Sequence, residues 1–258
     1  MTRTVTAAVM LIGDEILSGR TQDTNLRTIA HFLQPLGVQV REARVVPDVR
    51  ETIIATVNEL RARFDYVFTT GGIGPTHDDI TADSMAAAFG DTIDVREDAR
   101  AALLAHYPQR GLELTEGRLR MARIPASATL IANPVSGAPG FQIGNVFVMA
   151  GVPSVMRGML QDIGHRIEGG AVIHARTVRA KGLREGDLSQ PLRDLSETHA
   201  AVSLGSYPWM RTDAEGRPDY GVALVARSAD AAALDAAASA LAELVRAQGQ
   251  TPEIDPVD

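Results

Sequence analysis

The sequence predicts an α/β protein. A doubly wound, mostly parallel sheet occupies residues 1–169, and a smaller α+β lobe of βαββα order occupies 170–258. Two observations predict this. Over the first two thirds, short apolar runs alternate with segments of helical period, the pattern of a parallel sheet covered on both faces. At Gly169-Gly170 that rhythm breaks, and two strand-like runs then follow one another directly.

Val5–Ile12 is an apolar run ending at Gly13, and Leu26, Ile29, Ala30, Leu33 and Leu36 then recur at helical spacing until Gly37 stops them. Val38–Val46 reads as a second strand; Ile53, Ile54, Val57, Leu60 and Phe64 form one helical face; Tyr66–Thr70 reads as a third strand. After the turn at Gly71 to Gly74, a helix is expected over Thr81–Phe89 with Gly90 as its stop, and two more near 98–107 and 116–122. A further buried strand is expected over 145–150. Val155, Met159, Leu160, Ile163 and Ile167 then line a helix. In the lobe, strands are expected over 172–180, 201–207 and 220–228, and helices over 188–198 and Ala231–Ala247. The polar stretch 213–218 suits a hairpin connection.

With 45% hydrophobic residues among 258, a sizeable core can be buried without staples. The absence of cysteine removes disulfides, thiolate metal sites and cysteine nucleophiles, and fits a reducing cytosol. No signal-like start and no apolar run near the roughly 20 residues of a membrane span are present, so a cytoplasmic protein without membrane association is expected. A net charge of -7 with dispersed basic residues disfavours nucleic acid as a partner. A small phosphorylated ligand remains compatible, because backbone N–H groups can build a local anion site on an acidic surface.

The most informative stretch is Thr69-Thr70-Gly71-Gly72-Ile73-Gly74-Pro75-Thr76-His77-Asp78-Asp79-Ile80-Thr81. Glycines between a strand and a helix let the backbone approach an anion at the helix start. The spacing matches neither a P-loop nor the dinucleotide fingerprint. The alternative is a tight turn in which Asp79 or Thr81 caps a helix. Asp78 and Asp79 beside a phosphate make sense if a hard cation, magnesium by default, bridges them to the ligand. His77 could be a ligand or an acid, or only a solvated loop histidine.

The first strand delivers Gly13-Asp14-Glu15-Ile16-Leu17-Ser18-Gly19 and then Asp23-Thr24-Asn25, for which turn and cap chemistry is the alternative. The second strand ends at Pro47-Asp48, making Asp48 a third candidate carboxylate or else a helix N-cap. Ligands of open parallel sheets collect at the strands' carboxyl ends, so these segments face one cleft if strands one and three are neighbours. Two later loops, Ser136-Gly137-Ala138-Pro139-Gly140-Phe141 and Gly151-Val152-Pro153-Ser154, could lend N–H groups or serve as turns. No nucleophile-plus-base arrangement stands out.

Taken together, Gly13-Asp14-Glu15-Ile16-Leu17, Thr70 to Thr76 with Asp78-Asp79-Ile80-Thr81, Gly137-Ala138-Pro139-Gly140 and Gly151-Val152-Pro153 resemble the molybdopterin-binding, CinA-like family of MoaB/Mog-like fold. The resemblance covers roughly residues 4–168. The lobe, with Ser203-Leu204-Gly205-Ser206-Tyr207-Pro208-Trp209, is similar to the segment that follows this domain in CinA and in FAD synthase relatives.

The resemblance implies a doubly wound domain whose relatives bind molybdopterin, adenylylate it, or hydrolyse ADP-ribose and FAD at the pyrophosphate with a divalent metal, some with potassium. It implies Asp48 and Asp79 as the catalytic pair; the residues themselves suggest Asp79, with Asp78 or Asp48, as ligands of the metal. Gly13, Asp14, Glu15, Ser18, Gly71, Gly72, Ile73, Gly74, Pro75, Thr76, Gly137, Pro139, Gly140, Gly151, Val152 and Pro153 are expected to bind the nucleotide or pterin phosphate. Homo-oligomers are expected as well. A glutamate of the family pattern after Gly-Val-Pro is replaced by Val155, and the deamidase activity of longer CinA proteins is not expected. The expected function is metal-dependent hydrolysis of a nucleoside-diphosphate phosphoanhydride. The alternatives are molybdopterin binding or adenylylation, and a non-catalytic binding module. Tyr207, Pro208, Trp209 and Tyr220 suit either hairpin packing or base stacking.

Overall fold

The computed structural model describes residues 3–111, 113–212 and 216–255. The chain divides into two compact units, one up to Ala171 and one from Val172.

In the first unit, β1 (Val5–Ile12) is followed by α1 (Asp14–Leu17), α2 (Asn25–Leu33), β2 (Val38–Val46), α3 (Arg50–Arg63), β3 (Tyr66–Thr70) and α4 (Thr81–Phe89). Then come β4 (Ile93–Val95), α5 (Glu97–His106), α6 (Glu116–Leu119), β5 (Arg123–Pro125), β6 (Thr129–Ile131), β7 (Gly140–Ile143), β8 (Val146–Met149) and α7 (Pro153–Ile163). The main sheet has the order β2-β1-β3-β8-β7-β6. Its β2, β1, β3 and β8 run parallel, whereas β7 and β6 are antiparallel additions. β4 and β5 make a separate antiparallel ribbon.

The central strand shows why the sheet is covered twice. β1 is apolar from Ala7 to Ile12, and successive side chains of a strand point to opposite faces. Ala8, Met10 and Ile12 therefore join a core with Ile53, Val57, Leu60, Met85 and Leu103. Ala7, Val9 and Leu11 join the other core, with Ile29, Leu33, Met156, Met159 and Ile163. The second core also holds Phe68 and Phe147 stacked at 5.0 Å.

The run expected as a helix over 116–122 is split: α6 gives way to a 3-10 turn over Arg120–Ala122. The short strands β6 and β7 carry too few residues to show a period and were not anticipated.

The second unit contains β9 (His174–Lys181), α8 (Ser189–Thr198), β10 (Ser203–Thr212), β11 (Pro218–Ser228), α9 (Ala231–Ala247) and β12 (Pro252–Ile254). Its antiparallel sheet has the order β10-β11-β9-β12. Val178, Ala180, Val222, Leu224 and Ala226 pack against Leu234, Leu241 and Val245 of α9, whose start is capped by Asp230 accepting the N–H groups of Ala232 and Ala233. Of the expected hairpin turn, residues 213–215 lie outside the described residues. Trp209 lies over Gly221, where a side chain would sit 2.6 Å from the indole ring, and Arg211 stacks on it at 4.8 Å. Tyr207 is exposed, with Arg227 over its ring.

Among the described residues, no helix is long and apolar enough to cross a membrane.

Candidate functional site

β1 lies between β2 and β3, so the connection from β2 crosses over to the far side of β1. The carboxyl ends of these parallel strands lie at one edge, and a reversal of strand order there opens a crevice. The loops after β1, β2, β3 and β8 all start from that edge.

The loop after β3 is anchored at both ends. Gly71 donates its N–H to Met149 O at 3.1 Å, and Thr81 ties the far end back, its N–H to Gly72 O at 2.9 Å and its hydroxyl to Gly71 O at 3.0 Å. Glycine is required here. At Gly71 a Cβ would stand 2.1 Å from Ile12 O, and Gly72 has φ of 65° with Thr81 Oγ1 2.2 Å from where a Cβ would be. Within the loop, Asp79 Oδ2 accepts the Thr76 N–H at 2.8 Å and the Thr76 hydroxyl at 2.5 Å. α4 begins at Thr81 with Ile80 as its N-cap and no side-chain cap, so neither Asp79 nor Thr81 serves as a helix cap.

Asp48 is not a cap either, because Val49 is the N-cap of α3. Its Oδ2 accepts the Asp14 N–H at 3.0 Å, and its Oδ1 lies 3.5 Å from the position of a Gly72 Cβ. Partial burial pushes the Asp48 carboxyl above its ordinary 3.8; the Asp14 N–H opposes this, and the charges of Asp14, Glu15 and Asp78 reinforce it. Three carboxylates are thus felt at a fourth. Asp78 and His77 are exposed at the loop tip.

A cavity of about 550 Å³ opens against this loop. Of the expected binding residues it is lined by Glu15, Gly71 to Pro75, Gly151, Val152 and Pro153, together with Asp79. Ser136 and Ala138 of the candidate loop 136–141 and Val155 also line it, together with Thr21, Met121, Asn133, Ala150 and Met159, which the sequence does not mark as ligand-facing. Val155, standing where the family pattern has glutamate, makes that wall apolar.

The other expected residues are placed differently. Gly13 donates to Val46 O at 3.1 Å, and Ser18 closes a local turn onto Glu15 O at 3.3 Å. Gly140 lies in β7, where a Cβ would meet Val148 O at 2.5 Å, so its role is strand packing. Gly137 and Pro139 border a larger cavity of about 670 Å³ between α5 and α7, whose one carboxylate, Asp162, is already held by Ala132 N–H and Arg166, and Pro139 also lines a narrow recess beside Gly72 to Gly74. The glycine loop does not line that cavity. Asp23 accepts the N–H groups of Asn25 and Leu26 at 3.1 and 3.0 Å, which is turn chemistry at the start of α2.

Two residues whose role only the fold reveals hold the walls. Buried Asn25 donates to Gly151 O at 2.7 Å. Asn133, also buried, donates to Ser136 Oγ and Ala138 O and accepts from the N–H groups of Val135 and Ser136. An Asn-Pro pair was the one available signal for the second. Among the described residues, no three His, Asp or Glu side chains are grouped to hold a metal ion by themselves.

A loop built on obligatory glycines and a half-buried aspartate at the carboxyl edge of a mostly parallel sheet define an α/β domain of the MoaB/Mog-like class. The chain belongs to the molybdopterin-binding domain family: residues 8–168 match the family model described as "Probable molybdopterin binding domain", and residues 173–253 match that of the FAD synthase middle domain. A protein of Pyrobaculum calidifontis is 33% identical over 94% of this chain and 97% of its own length. A CinA-like protein of Desulfosudis oleivorans is 36% identical over 71% of this chain, which accounts for 47% of that relative. The crystal structure of CinA from Thermoplasma acidophilum, a protein there described as of unknown function, covers 64% of this chain and 99% of its own, at 36% identity and a TM-score of 0.58.

Proposed function

We propose that the first unit binds a molybdopterin-type ligand, with the ligand's phosphate on the Gly71–Thr76 loop and its ring system against the apolar wall of Met121, Val155 and Met159. The observation that carries this reading is the cavity of about 550 Å³ that joins that loop to those side chains. Such a cavity suits a flat heterocycle bearing a phosphate, since apolar walls supply contact and a few placed polar groups supply orientation. The family description points the same way.

A divalent cation, magnesium first, is proposed as part of the site. Asp48 and Asp78 offer oxygen ligands, and magnesium commonly takes one or two carboxylates and completes its shell with ligand phosphate and water. This is compatible with the lack of a three-residue protein cage among the described residues. Bound there, the ion would neutralise charge on the phosphates. Potassium, expected from the resemblance, has no assigned ligands.

A second reading is enzymatic: hydrolysis of the phosphoanhydride of ADP-ribose or FAD, with Asp48 and Asp79 as catalytic carboxylates. The match of the second unit to the FAD synthase middle domain supports an adenine dinucleotide as ligand. Homo-oligomerisation belongs to the same proposal and is read by light scattering.

The test is calorimetric titration of the full chain with molybdopterin, ADP-ribose and FAD, with and without magnesium, alongside chromatography for AMP. Saturable magnesium-dependent binding of molybdopterin supports the first reading, and AMP release supports the second. Binding of none of the three overturns both.

A further inference from the structure

The site is short of positive charge. Asp14 and Glu15 at the start of α1 and Asp48, Asp78 and Asp79 of the loops lie at this edge, and among the described residues the cavity of about 550 Å³ has no lysine or arginine in its lining. A phosphate entering there meets carboxylates before it meets a cation. A narrow recess shares Gly72, Ile73, Gly74, Asp79 and Met121 with that cavity, and its lining adds two guanidinium groups, Arg120 and Arg123.

These two arginines differ in what they already hold. Arg123 is committed to Asp83 at 2.6 Å. Arg118, on the same segment, donates to Glu113 O at 2.6 Å and lies over the Tyr107 ring. Arg120 is exposed, and its side chain has no hydrogen-bond or ion-pair partner among the described residues. It opens the 3-10 turn Arg120–Ala122, and Gly117 just before it stands against Pro75, where a Cβ would lie 3.8 Å from Pro75 O. An arginine with an uncommitted side chain therefore lines the recess that Gly72 to Gly74 also line.

Resting on the reading that this site takes a phosphorylated ligand, we propose that Arg120 is the binding residue that grips the phosphate on the Gly72–Gly74 loop. Its five N–H donors match two phosphate oxygens at once, which an ammonium group cannot do. Any cation held by Asp48 and Asp78 would serve one side of the phosphate, and Arg120 the side facing Met121. An unpaired arginine at an otherwise acidic cleft also gives anionic ligands a local point of attraction against the chain's net charge of -7.

The test is titration of wild-type chain, Arg120→Ala, Arg120→Lys and Arg41→Ala with ADP-ribose and with molybdopterin, in magnesium. Whichever probe wild type binds, Arg120→Ala is expected to weaken it at least tenfold, Arg120→Lys less, and Arg41→Ala, a change on exposed β2, by under twofold. Because Arg120 has no partner to lose, the unfolding midpoint of Arg120→Ala should match wild type, which separates lost binding from lost fold. A smaller loss in Arg120→Ala, with wild type binding normally, overturns the Arg120 assignment and leaves the site reading intact. Failure of wild type to bind either probe overturns the site reading and the Arg120 assignment together.

Discussion

Asp48 and Asp14 are joined by a 3.0 Å hydrogen bond from the Asp14 backbone to the Asp48 carboxylate, which ties the end of β2 to the turn after β1. The bond fixes a carboxylate where partial burial and three other acidic groups oppose its ionisation. That cost fits the proposed cation site, because functional positions often sacrifice local stability.

Asp48→Asn should therefore raise stability while lowering magnesium-dependent binding. The sign follows from linkage: a carboxyl that holds its proton more tightly when folded favours the folded state at low pH, and this contribution is lost as pH rises through the folded value, above 3.8. The gain from Asp48→Asn should be below about 1 kcal/mol, since Asp48 is only half-buried. It should be present at pH 7 and vanish towards pH 4, as thermal midpoints across that range will show. A lower midpoint at pH 7 would contradict this account.

Gly72→Ala should damage the loop in two ways at once. The backbone at φ of 65° disfavours any side chain, and the new methyl would sit 2.2 Å from Thr81 Oγ1. The expected cost is about 1–3 kcal/mol, with ligand affinity down at least tenfold. Denaturant unfolding and titration measure the two effects, and unchanged affinity would remove the loop from the site.

At Asp79 two variants divide anchoring from charge. Asp79→Ala removes the acceptor for both the Thr76 N–H and its hydroxyl and should weaken ligand binding tenfold or more. Asp79→Asn keeps an amide oxygen for the Thr76 N–H and should bind within about threefold of wild type, by the modest worth of a charge-assisted bond. If AMP release is the activity, Asp79→Asn should abolish it while binding persists.

Asn133→Ala should loosen the far wall. It deletes an amide that serves four groups of the 133–138 loop, and the orphaned buried polar atoms should cost about 2–3 kcal/mol. The midpoint should fall by roughly 5–10 °C, and the Val135 and Ser136 amides should exchange faster with solvent. Exchange as slow as in wild type would show that the loop holds its shape without the asparagine.

The strongly patterned elements were legible in the sequence, and for a physical reason. β8 and β1 from Ala7 onward are buried on both faces and are apolar there without interruption, and α2 and α7 carry the period of a helix packed on one side. Strands β6 and β7 were not legible, because three or four residues cannot display a period. The turn residues of the site were legible as glycines between a strand and a helix. Their division of labour was not: Asp48 and Asp79 look like caps in sequence, and only the fold shows that one reaches Asp14 and the other Thr76.

Composition and period alone determined a two-part α/β protein with its loops at the carboxyl edge of a parallel sheet, since hydrophobic patterning is a local property that each segment carries with it. The tertiary structure decided which loops share a cavity, that Asn25 and Asn133 brace its walls, and that Arg120 stands uncommitted beside Gly72 to Gly74. Those facts depend on strand order and on hydrogen bonds spanning up to more than a hundred residues, and no local pattern encodes them.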